Sequence, residues 1–399
     1  MSLEFETFLA EDYCLRVADG THDSPKEVEF GKKLVTSKNI IGGKLDLEKS
    51  YFISLEDFNE VNKRSKVDQW DILISMIGTV GEVALIKEKP DFAIKNVGLL
   101  KNNDEYAAKW LYYYLKSDLG QYQIKSRLRG TTQLYIPLKD LRKLEIEVPK
   151  NREELIKIVK ILDNIDLKIE NCLMINHNLE KISSRLYSNL IYDKKDLEFI
   201  ELKEICKFIK GRKPTEISEQ YKSDFEDYLT IEVLSNQNQT YAFDEKGIKA
   251  EEMDILMVMD GASSGKLFYG KKGLVGSTLA KIDVKENYIE LVYQFLKINE
   301  KYITENTTGS AIPHTDKGLV LSLSLPISEK LTEYSDKFKN IRLAIISNNN
   351  EIMKLQHLRD ILLPKLMSGE IDVSKINCDL KLIIRKFIFK IISYLEDLI

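Results

Sequence analysis

Apolar residues recur three and four positions apart along two long stretches of the chain, each for about five heptads. This spacing is typical of a coiled-coil seam and predicts two long α-helices. Each seam covers about 36 residues, roughly 54 Å at about 1.5 Å per residue, which is too long to be buried within one compact domain. We therefore expect the two helices to pack on each other, and their order in the chain favours an antiparallel pair. The seam positions are Leu155, Ile158, Leu162, Ile165, Ile169, Cys172, Asn176, Leu179, Ser183, Leu186 and Leu190 in the first stretch, and Leu331, Tyr334, Phe338, Ile341, Ile345, Asn348, Ile352, Leu355, Arg359, Leu362 and Leu366 in the second.

A polar residue stands near the middle of each seam, Asn176 in the first and Asn348 in the second. Antiparallel pairing brings these two side chains close together. A hydrogen bond between them would fix the register of the helices at some cost in stability. The alternative is that the two residues are independent polar positions that face solvent.

The sequence before each helical stretch is repeated. Three matches keep the same order, with offsets of 183, 179 and 177 residues, so the chain is expected to be a tandem of two related halves. The matched runs are WDILISMIG (70–78) with MDILMVMDG (253–261), RGTTQ (129–133) with TGSAI (308–312), and LEIEVP (144–149) with LSLSLP (321–326). The first pair is expected to form buried strands that lead into glycine turns, and the third pair to form alternating strands closed by proline.

The remaining pattern predicts an α+β fold. Residues 67–86 and 92–100 are expected to form strands, and residues 106–124 and 289–298 to form amphipathic helices. The architecture predicted is two globular domains separated by the two long helices of an antiparallel coiled coil, with a pseudo-two-fold tandem repeat. The expected divisions are a first globular domain over 1–150, a first helical region over 151–195, a second globular domain over 196–328, a second helical region over 329–368 and an amphipathic C-terminal tail over 369–399.

Composition places the chain among soluble globular proteins. It has 399 residues, 43% hydrophobic and 31% charged, and no run of about 18 uncharged apolar residues that could span a membrane. The N-terminal residues are acidic, unlike a signal peptide. The four cysteines fit a reducing cytosol better than a disulfide framework, so a cytoplasmic location is expected. They are Cys14, Cys172, Cys206 and Cys378.

Catalytic signatures are missing from the sequence. The run GASSGK (261–266) resembles a phosphate-binding loop, but its glycine spacing is one residue short, and Leu267 stands where a Ser or Thr is required. The four histidines never fall at the i, i+4 spacing of metal ligands. We therefore expect no catalytic centre, no metal site and no cofactor.

Charge clusters suggest DNA binding, although the net charge of −4 is not that of a protein that binds DNA unaided. Basic and small polar residues gather in three segments. Arg and Gln side chains can read base edges bidentately, whereas Lys, Thr and Ser suit phosphates. The candidates are Arg127, Arg129, Thr131, Thr132 and Gln133 in the first half, and Lys210, Arg212, Lys213, Ser263, Ser264, Lys266 and Ser310 in the second.

The chain resembles the specificity subunits of type I restriction–modification systems over residues 13 to about 373. The resemblance rests on DGTHDSPK (19–26), LVTSKN (34–39), NKRSK (62–66), GTTQ (130–133) and LLPKLMSGEI (362–371). The chain departs from the family where Trp70 and Met253 replace a glycine before the Asp-Ile-Leu strands, and where the second half carries what looks like a shorter loop, 308–313.

This resemblance implies a non-catalytic subunit that binds a bipartite double-stranded DNA target, one half-site per recognition domain. It also implies two methyltransferase subunits docked on the helices, and restriction subunits in the full complex. It adds Thr21, His22, Lys26 and Lys38 to the candidate DNA contacts, because they fall in family-like loops. Two alternatives remain: a two-headed coiled-coil adaptor that binds proteins and never DNA, and a stand-alone nuclease, which the missing carboxylate cluster disfavours.

The tail beyond residue 374 has an amphipathic pattern built on Leu380, Ile383, Ile384, Phe387, Ile391, Leu395 and Leu398. We expect it to pack on the coiled coil or on a partner subunit. Attachment to a membrane surface is the alternative, although no membrane partner is expected for the chain as a whole.

Overall fold

The computed structural model describes residues 3–192, 197–235, 239–309 and 311–373. The chain divides into two compact units. Unit 1 contains the described residues up to Lys168 together with those from Leu355 onward, and unit 2 contains the described residues of Ile169–Lys354. Ser310, Cys378 and the predicted amphipathic tail lie outside the described residues.

Unit 1 combines a four-stranded sheet with a smaller three-stranded sheet. The larger sheet has the order β2-β10-β7-β8 and is antiparallel, whereas β3 and β9 of the smaller sheet, β6-β3-β9, are parallel. The pairs β1-β11 and β4-β5 complete the strands. The strands are β1 Phe5–Leu9, β2 Arg16–Asp19, β3 Lys32–Val35, β4 Ile40–Ile41, β5 Lys44–Leu45, β6 Tyr51–Ile53, β7 Ile72–Ser75, β8 Val83–Leu85, β9 Phe92–Ile94, β10 Val97–Lys101 and β11 Glu145–Pro149, and the helices are α1 Ala10–Tyr13, α2 Leu55–Ser65, α3 Glu105–Lys116, α4 Asp118–Lys125, α5 Leu138–Arg142, the start of α6 Arg152–Tyr192, and a 3-10 turn at Ser37–Asn39.

Unit 2 repeats this plan. Its four-stranded sheet has the order β13-β21-β18-β19, its second sheet is β14-β16-β15-β20-β17 with β15 and β20 parallel, and β12 pairs with β22. The strands are β12 Glu198–Glu201, β13 Cys206–Lys210, β14 Glu216–Ser218, β15 Glu226–Leu229, β16 Tyr241–Phe243, β17 Lys249–Ala250, β18 Ile255–Val258, β19 Leu267–Phe268, β20 Gly273–Val275, β21 Leu279–Val284 and β22 Ser324–Ile327, and the helices are α7 Leu202–Ile205, α8 Ile231–Leu234, α9 Ile289–Ile298, α10 Glu300–Glu305, α11 Lys317–Ser322, α12 Glu329–Glu333, α13 Ser335–Met367, and a 3-10 turn at Glu286–Tyr288.

The repeated Asp-Ile-Leu runs form the central strands β7 and β18, in which every residue is buried. A strand buried on both faces needs a continuous apolar run rather than alternation, which explains the pattern in the sequence. In unit 1, Trp110 of α3 packs on one side of this core and is 0% exposed. In unit 2, Leu291 and Leu296 of α9 pack in the same way. The expected α+β tandem repeat is therefore confirmed.

Four predicted elements were too long or misplaced. Residues 67–86 form two strands, β7 and β8, and residues 92–100 form β9 and most of β10, because glycine turns and a left-handed Asn96 (φ 53°) interrupt each run. The helix expected over 106–124 is broken at Ser117, whose hydroxyl caps α4 by accepting from the Gly120 N–H. The strand expected from residue 321 begins only at Ser324, since α11 continues to Ser322.

The two long helices contact each other within each unit, and in unit 2 they run antiparallel. In unit 2, Asn176 bonds to Asn349 at 2.8 Å, and the ring of Tyr187 lies 5.9 Å from that of Phe338. A residue further along α6 therefore contacts a residue earlier in α13. In unit 1, Arg359 of α13 donates to Asp166 of α6 at 2.9 Å. Both helices extend through the unit boundary, α6 over 41 residues and α13 over 33.

Within the described ranges, no helix is both long and apolar enough to cross a membrane. Three of the four cysteines, Cys14, Cys172 and Cys206, are buried.

Candidate nucleic-acid interface

A glycine ends the outer strand of each four-stranded sheet at the same position. The N–H of Gly20 donates to Val97 O (2.8 Å), and the N–H of Gly211 donates to Leu279 O (2.9 Å). A Cβ on either glycine would lie within 2.5 Å of a backbone oxygen of the neighbouring chain segment. Each glycine therefore lets the chain turn out of the sheet, and the next two residues, Thr21-His22 and Arg212-Lys213, stand at equivalent places.

Two further segments meet at this end of each sheet. The turn after β7 contacts a hairpin, because the Gly78 N–H donates to Leu134 O (3.2 Å); the turn after β18 does the same through Gly261 and Pro313 O (2.9 Å). The hairpins close at Arg129/Tyr135 and Thr308/His314. Both hairpins have the same length, so the expectation of a shorter loop in the second half was wrong.

The strand register explains why these segments converge. In unit 1, Asp19 pairs with Gly98 and Ser75 with Val97, so the end of β2, the end of β7 and the start of β10 share one edge. We call residues 20–26, 76–82 and 129–135 the first loop cluster. The corresponding residues of unit 2 (211–215, 259–266, 308–309 and 311–314) form the second loop cluster.

Of the first-half candidates taken from family-like loops, Thr21 is only 7% exposed, and its hydroxyl accepts from the Asp23 N–H. Thr21 therefore shapes the loop and offers little surface to DNA. His22 is exposed and lies between Asp19 (3.1 Å) and Asn96 (2.8 Å). Lys26 and Lys38 are exposed and form no ion pair with another residue of the described ranges.

The candidates around the first hairpin divide into two groups. Thr131, Thr132 and Gln133 occupy its exposed tip. Arg129 is half exposed and is held by Asp140 at 2.8 Å. Arg127 lies outside the hairpin and donates to the carbonyl oxygens of Gln123 and Lys143, so it closes the end of α4.

In the second loop cluster, acidic partners orient the cations. Nε and Nη2, on one edge of the Arg212 guanidinium, donate to the two oxygens of the Asp244 carboxylate, at 3.0 and 2.9 Å. Lys210 contacts Asp260 at 2.9 Å. Burial works against the charged form of Asp260, but its hydrogen bonds to Lys210 and His314 lower the pKa of this carboxyl below its usual value. Lys213 is exposed and, within the described residues, has no ion-pair partner.

The glycine turn 259–266 contains a buried serine, Ser264, and an exposed lysine, Lys266. Ser264 is 3% exposed, and its hydroxyl donates to Pro313 O (2.9 Å) and Gly261 O (2.8 Å), which joins the turn to the hairpin. The structure therefore removes Ser264 from the direct DNA contacts. Ser263 is half buried, and Lys266 is exposed above the ring of Phe268.

Sequence reasoning missed three side chains of these clusters. Asp260 and His314 form a 2.8 Å contact in the second cluster, and Tyr135, 42% exposed, occupies the place of His314 in the first. The common offset of 179 residues between Tyr135 and His314 was the signal that could have found these two. Among the described residues, no group of three or more His, Cys, Asp or Glu side chains is arranged to hold a metal ion.

Comparisons with known proteins agree with this duplicated arrangement. The family model for the type I restriction modification DNA specificity domain matches residues 24–181 and again residues 194–357. The type I restriction enzyme MjaIX specificity subunit of Methanocaldococcus jannaschii is 24% identical over 348 residues, which cover 76% of this chain and 78% of that protein. The MjaVIII specificity subunit of the same organism is 32% identical over 136 residues, so that match spans about a third of each protein.

The crystal structure of a type I restriction–modification S subunit from M. genitalium shares the fold. It has a TM-score of 0.57 at 20% identity and covers 91% of this chain and 96% of that one. Two successive matches to the family model span most of the chain, in the order that the structural repeat requires. The chain therefore belongs to the family of type I restriction–modification DNA specificity subunits and carries two specificity domains in tandem.

Proposed function

We propose that this subunit binds a split double-stranded DNA target, with one half-site read by each loop cluster. The observation that carries the proposal is the equivalence of the two clusters. Both are built from a glycine exit, a glycine turn and a hairpin of equal length, yet they expose different side chains after the glycine exit: His22 in the first cluster, and Arg212 and Lys213 in the second. Two domains that recognise different short DNA sequences need the same backbone arrangement but different polar side chains at the DNA surface.

The exposed side chains divide into two roles. Lys26, Lys38, Lys213 and Lys266 are exposed cations suited to DNA phosphates. Gln133 and Arg212 are exposed residues of the types that can bind base edges bidentately. The carboxylate that holds Arg212 fixes its orientation before DNA arrives, and the same holds for Arg129 in the first half.

The long helices would set the gap between the half-sites. A helix of 41 residues is roughly 62 Å long, the length of about 18 base pairs of duplex. The Asn176 and Asn348 amides would fix the register of the pair, as proposed from the sequence. The divisions at 1–150, 151–195, 196–328, 329–368 and 369–399 belong to the same proposal.

Two equivalent pairs of exposed apolar side chains support docking of two copies of one partner, the methyltransferase subunit. In unit 1 these are Leu167 and Leu358, the sequence neighbours of the paired Asp166 and Arg359, and they are 40% and 44% exposed. Their repeat equivalents in unit 2, Leu343 and Ile182, are 42% and 48% exposed. Exposed apolar side chains on a long helix suit a protein partner. The partner subunits would supply methylation and, with restriction subunits, cleavage, while this chain supplies recognition only.

Modification mapping tests the proposal. The chain is co-expressed with its neighbouring methyltransferase subunit in an unmodified host, and the genome is sequenced for methylated adenine. We expect a motif of two short defined halves with a fixed gap. If the two proteins assemble on DNA and no motif appears, the subunit does not direct methylation, and a protein–protein adaptor becomes the better description.

A further inference from the structure

Arg342 of the second long helix is almost completely buried against the second specificity domain. It is 1% exposed, and its Nη2 donates to Met253 O at 2.7 Å. Its Nη1 faces both carboxylate oxygens of Glu290 on α9, at 3.3 and 3.4 Å. Burial raises the pKa of the Glu290 carboxyl, and the charge of Arg342 acts in the opposite direction.

Two aromatic rings enclose the same guanidinium. Its central carbon lies 4.8 Å from the ring centroid of Tyr269 and 4.6 Å from that of Tyr293. Such cation–π contacts are strongest when water is excluded. One side chain of α13 thus contacts the segment before β18, the segment after β19, and α9.

Two of these contacts, Met253 and Tyr269, lie at the opposite end of β18 and β19 from the glycine turn of the second loop cluster. Met253 precedes β18, which ends at the glycine turn 259–266, and Tyr269 follows β19, which begins just after that turn. The strands between are short, and they pair at Leu256 with Phe268 and at Met257 with Leu267. A shift of α13 at Arg342 would therefore move the turn with it.

In the corresponding junction of unit 1 the charges are exchanged: the cation belongs to the specificity domain and the carboxylate to the long helix. There the cation, Lys109, belongs to α3 of the specificity domain and binds Asp163 of α6 at 2.7 Å. Its ammonium lies 5.5 Å from the ring of Trp70, the repeat equivalent of Met253. Both domains are therefore attached to a long helix by a buried cation beside the residue that precedes the central strand, although Asp163 lies one helical turn from Asp166, the repeat equivalent of Arg342.

We propose that Arg342 is a positioning residue that fixes the second specificity domain on the second long helix and thereby sets the gap between the two half-sites. Burying a guanidinium–carboxylate pair contributes little net stability compared with apolar residues of the same volume. Its advantage is directional, because the planar fork has fixed donor directions. The inference rests on the bipartite recognition proposed above.

The test uses the full chain assembled with its methyltransferase subunit. Initial methylation rates are measured on duplex oligonucleotides that carry the mapped motif with its natural gap, one base pair more, or one base pair fewer. For Arg342→Met we expect the preference for the natural gap to fall by about tenfold or more, since small displacements are costly in oriented complexes. The half-site sequences required should not change.

Three further variants make the result specific. Arg342→Lys keeps the charge without the planar fork and should give an intermediate preference, and Glu290→Gln should also reduce the preference. Lys354→Met removes an exposed cation of the same helix and should leave the preference unchanged.

An unchanged gap preference in an assembled Arg342→Met complex would overturn the inference. Failure of Arg342→Met, Arg342→Lys and Glu290→Gln alike to assemble would also overturn it, by showing a role in folding alone. A wild-type complex without any split motif would instead overturn the proposed function.

Discussion

The side-chain amide of Asn348 donates a 2.8 Å hydrogen bond to the amide oxygen of Asn176, and the Asn176 amide donates in turn to Asn349, also at 2.8 Å. Three amides therefore form a chain inside the helix pair, where Asn176 is 8% exposed. A buried polar contact of this kind favours one register over shifted alternatives, because any shift leaves the amides unpaired.

Asn176→Leu should lower the free energy of unfolding by about 1–3 kcal/mol, because it leaves the amides of Asn348 and Asn349 without their partner. The triple change of all three residues to leucine should recover most of this loss. Urea unfolding measures both effects. Asn178→Leu, at an exposed position of the same helix, is the control. An Asn176→Leu protein as stable as wild type would contradict the role of the amides.

The two equivalent pairs of exposed apolar residues on the long helices predict the stoichiometry of the complex. Leu167→Asp with Leu358→Asp, or Ile182→Asp with Leu343→Asp, should each reduce the number of bound methyltransferase subunits from two to one, because a charge in a buried apolar contact is costly. Native mass spectrometry of the complex counts the subunits. Two bound copies in both double variants would exclude these pairs as docking sites.

Lys213→Ala should weaken DNA binding uniformly across sequences and reduce the slope of log affinity against log salt by about 1, as expected for the loss of one phosphate contact. Fluorescence anisotropy at several salt concentrations measures the slope. Lys203→Ala is the matched control, because Lys203 lies before β13, at the opposite end from Lys213. Equal effects of the two variants would argue against the second loop cluster as the DNA surface.

Helix length should determine the gap in the target. A heptad inserted into both α6 and α13 at matched positions adds about 10.5 Å, or about three base pairs. Modification mapping should then return the same two half-sites with a longer gap. An unchanged gap would exclude the helices as the spacer.

The buried thiols should be unreactive in the folded protein. Burial, with the nearby Asp283 carboxylate, raises the pKa of Cys206 to about 12, and burial with Asp71 does the same for Cys14. In the unfolded chain the pKa of a cysteine thiol is about 8.5. The contribution of these thiols to stability is therefore complete below about pH 8.5 and is lost as the pH rises towards 12.

At pH 8, iodoacetamide should leave Cys14 and Cys206 unmodified in the native protein and label both in urea, as measured by peptide mass spectrometry. Rapid labelling of either thiol in the native state would contradict their burial.

The sequence by itself determined the elements whose cause is local or periodic. The heptads of the two seams predicted the long helices, because a stripe at period 3.5 can be buried only against another helix. The repeated Asp-Ile-Leu runs predicted both the tandem and its central strands. The predicted element boundaries were wrong where a single residue ended an element that the apolar pattern alone would have continued. Examples are Ser117, which caps a helix, and Asn96, which has a left-handed backbone.

Only the tertiary structure decided which polar residues face outward. Ser264 and Lys266 stand two positions apart in a run that looks uniformly suited to phosphate, yet the Ser264 hydroxyl is bound to Pro313 O, 49 residues away in the chain. Arg212 depends on Asp244 and Arg342 on Glu290, partners that no local pattern indicates. The equivalence of Gly20 and Gly211 was hidden as well, since it resides in hydrogen bonds across the sheet rather than in similar residues. Periodicity records burial along one element, whereas the exposure of a charge depends on what the fold brings next to it.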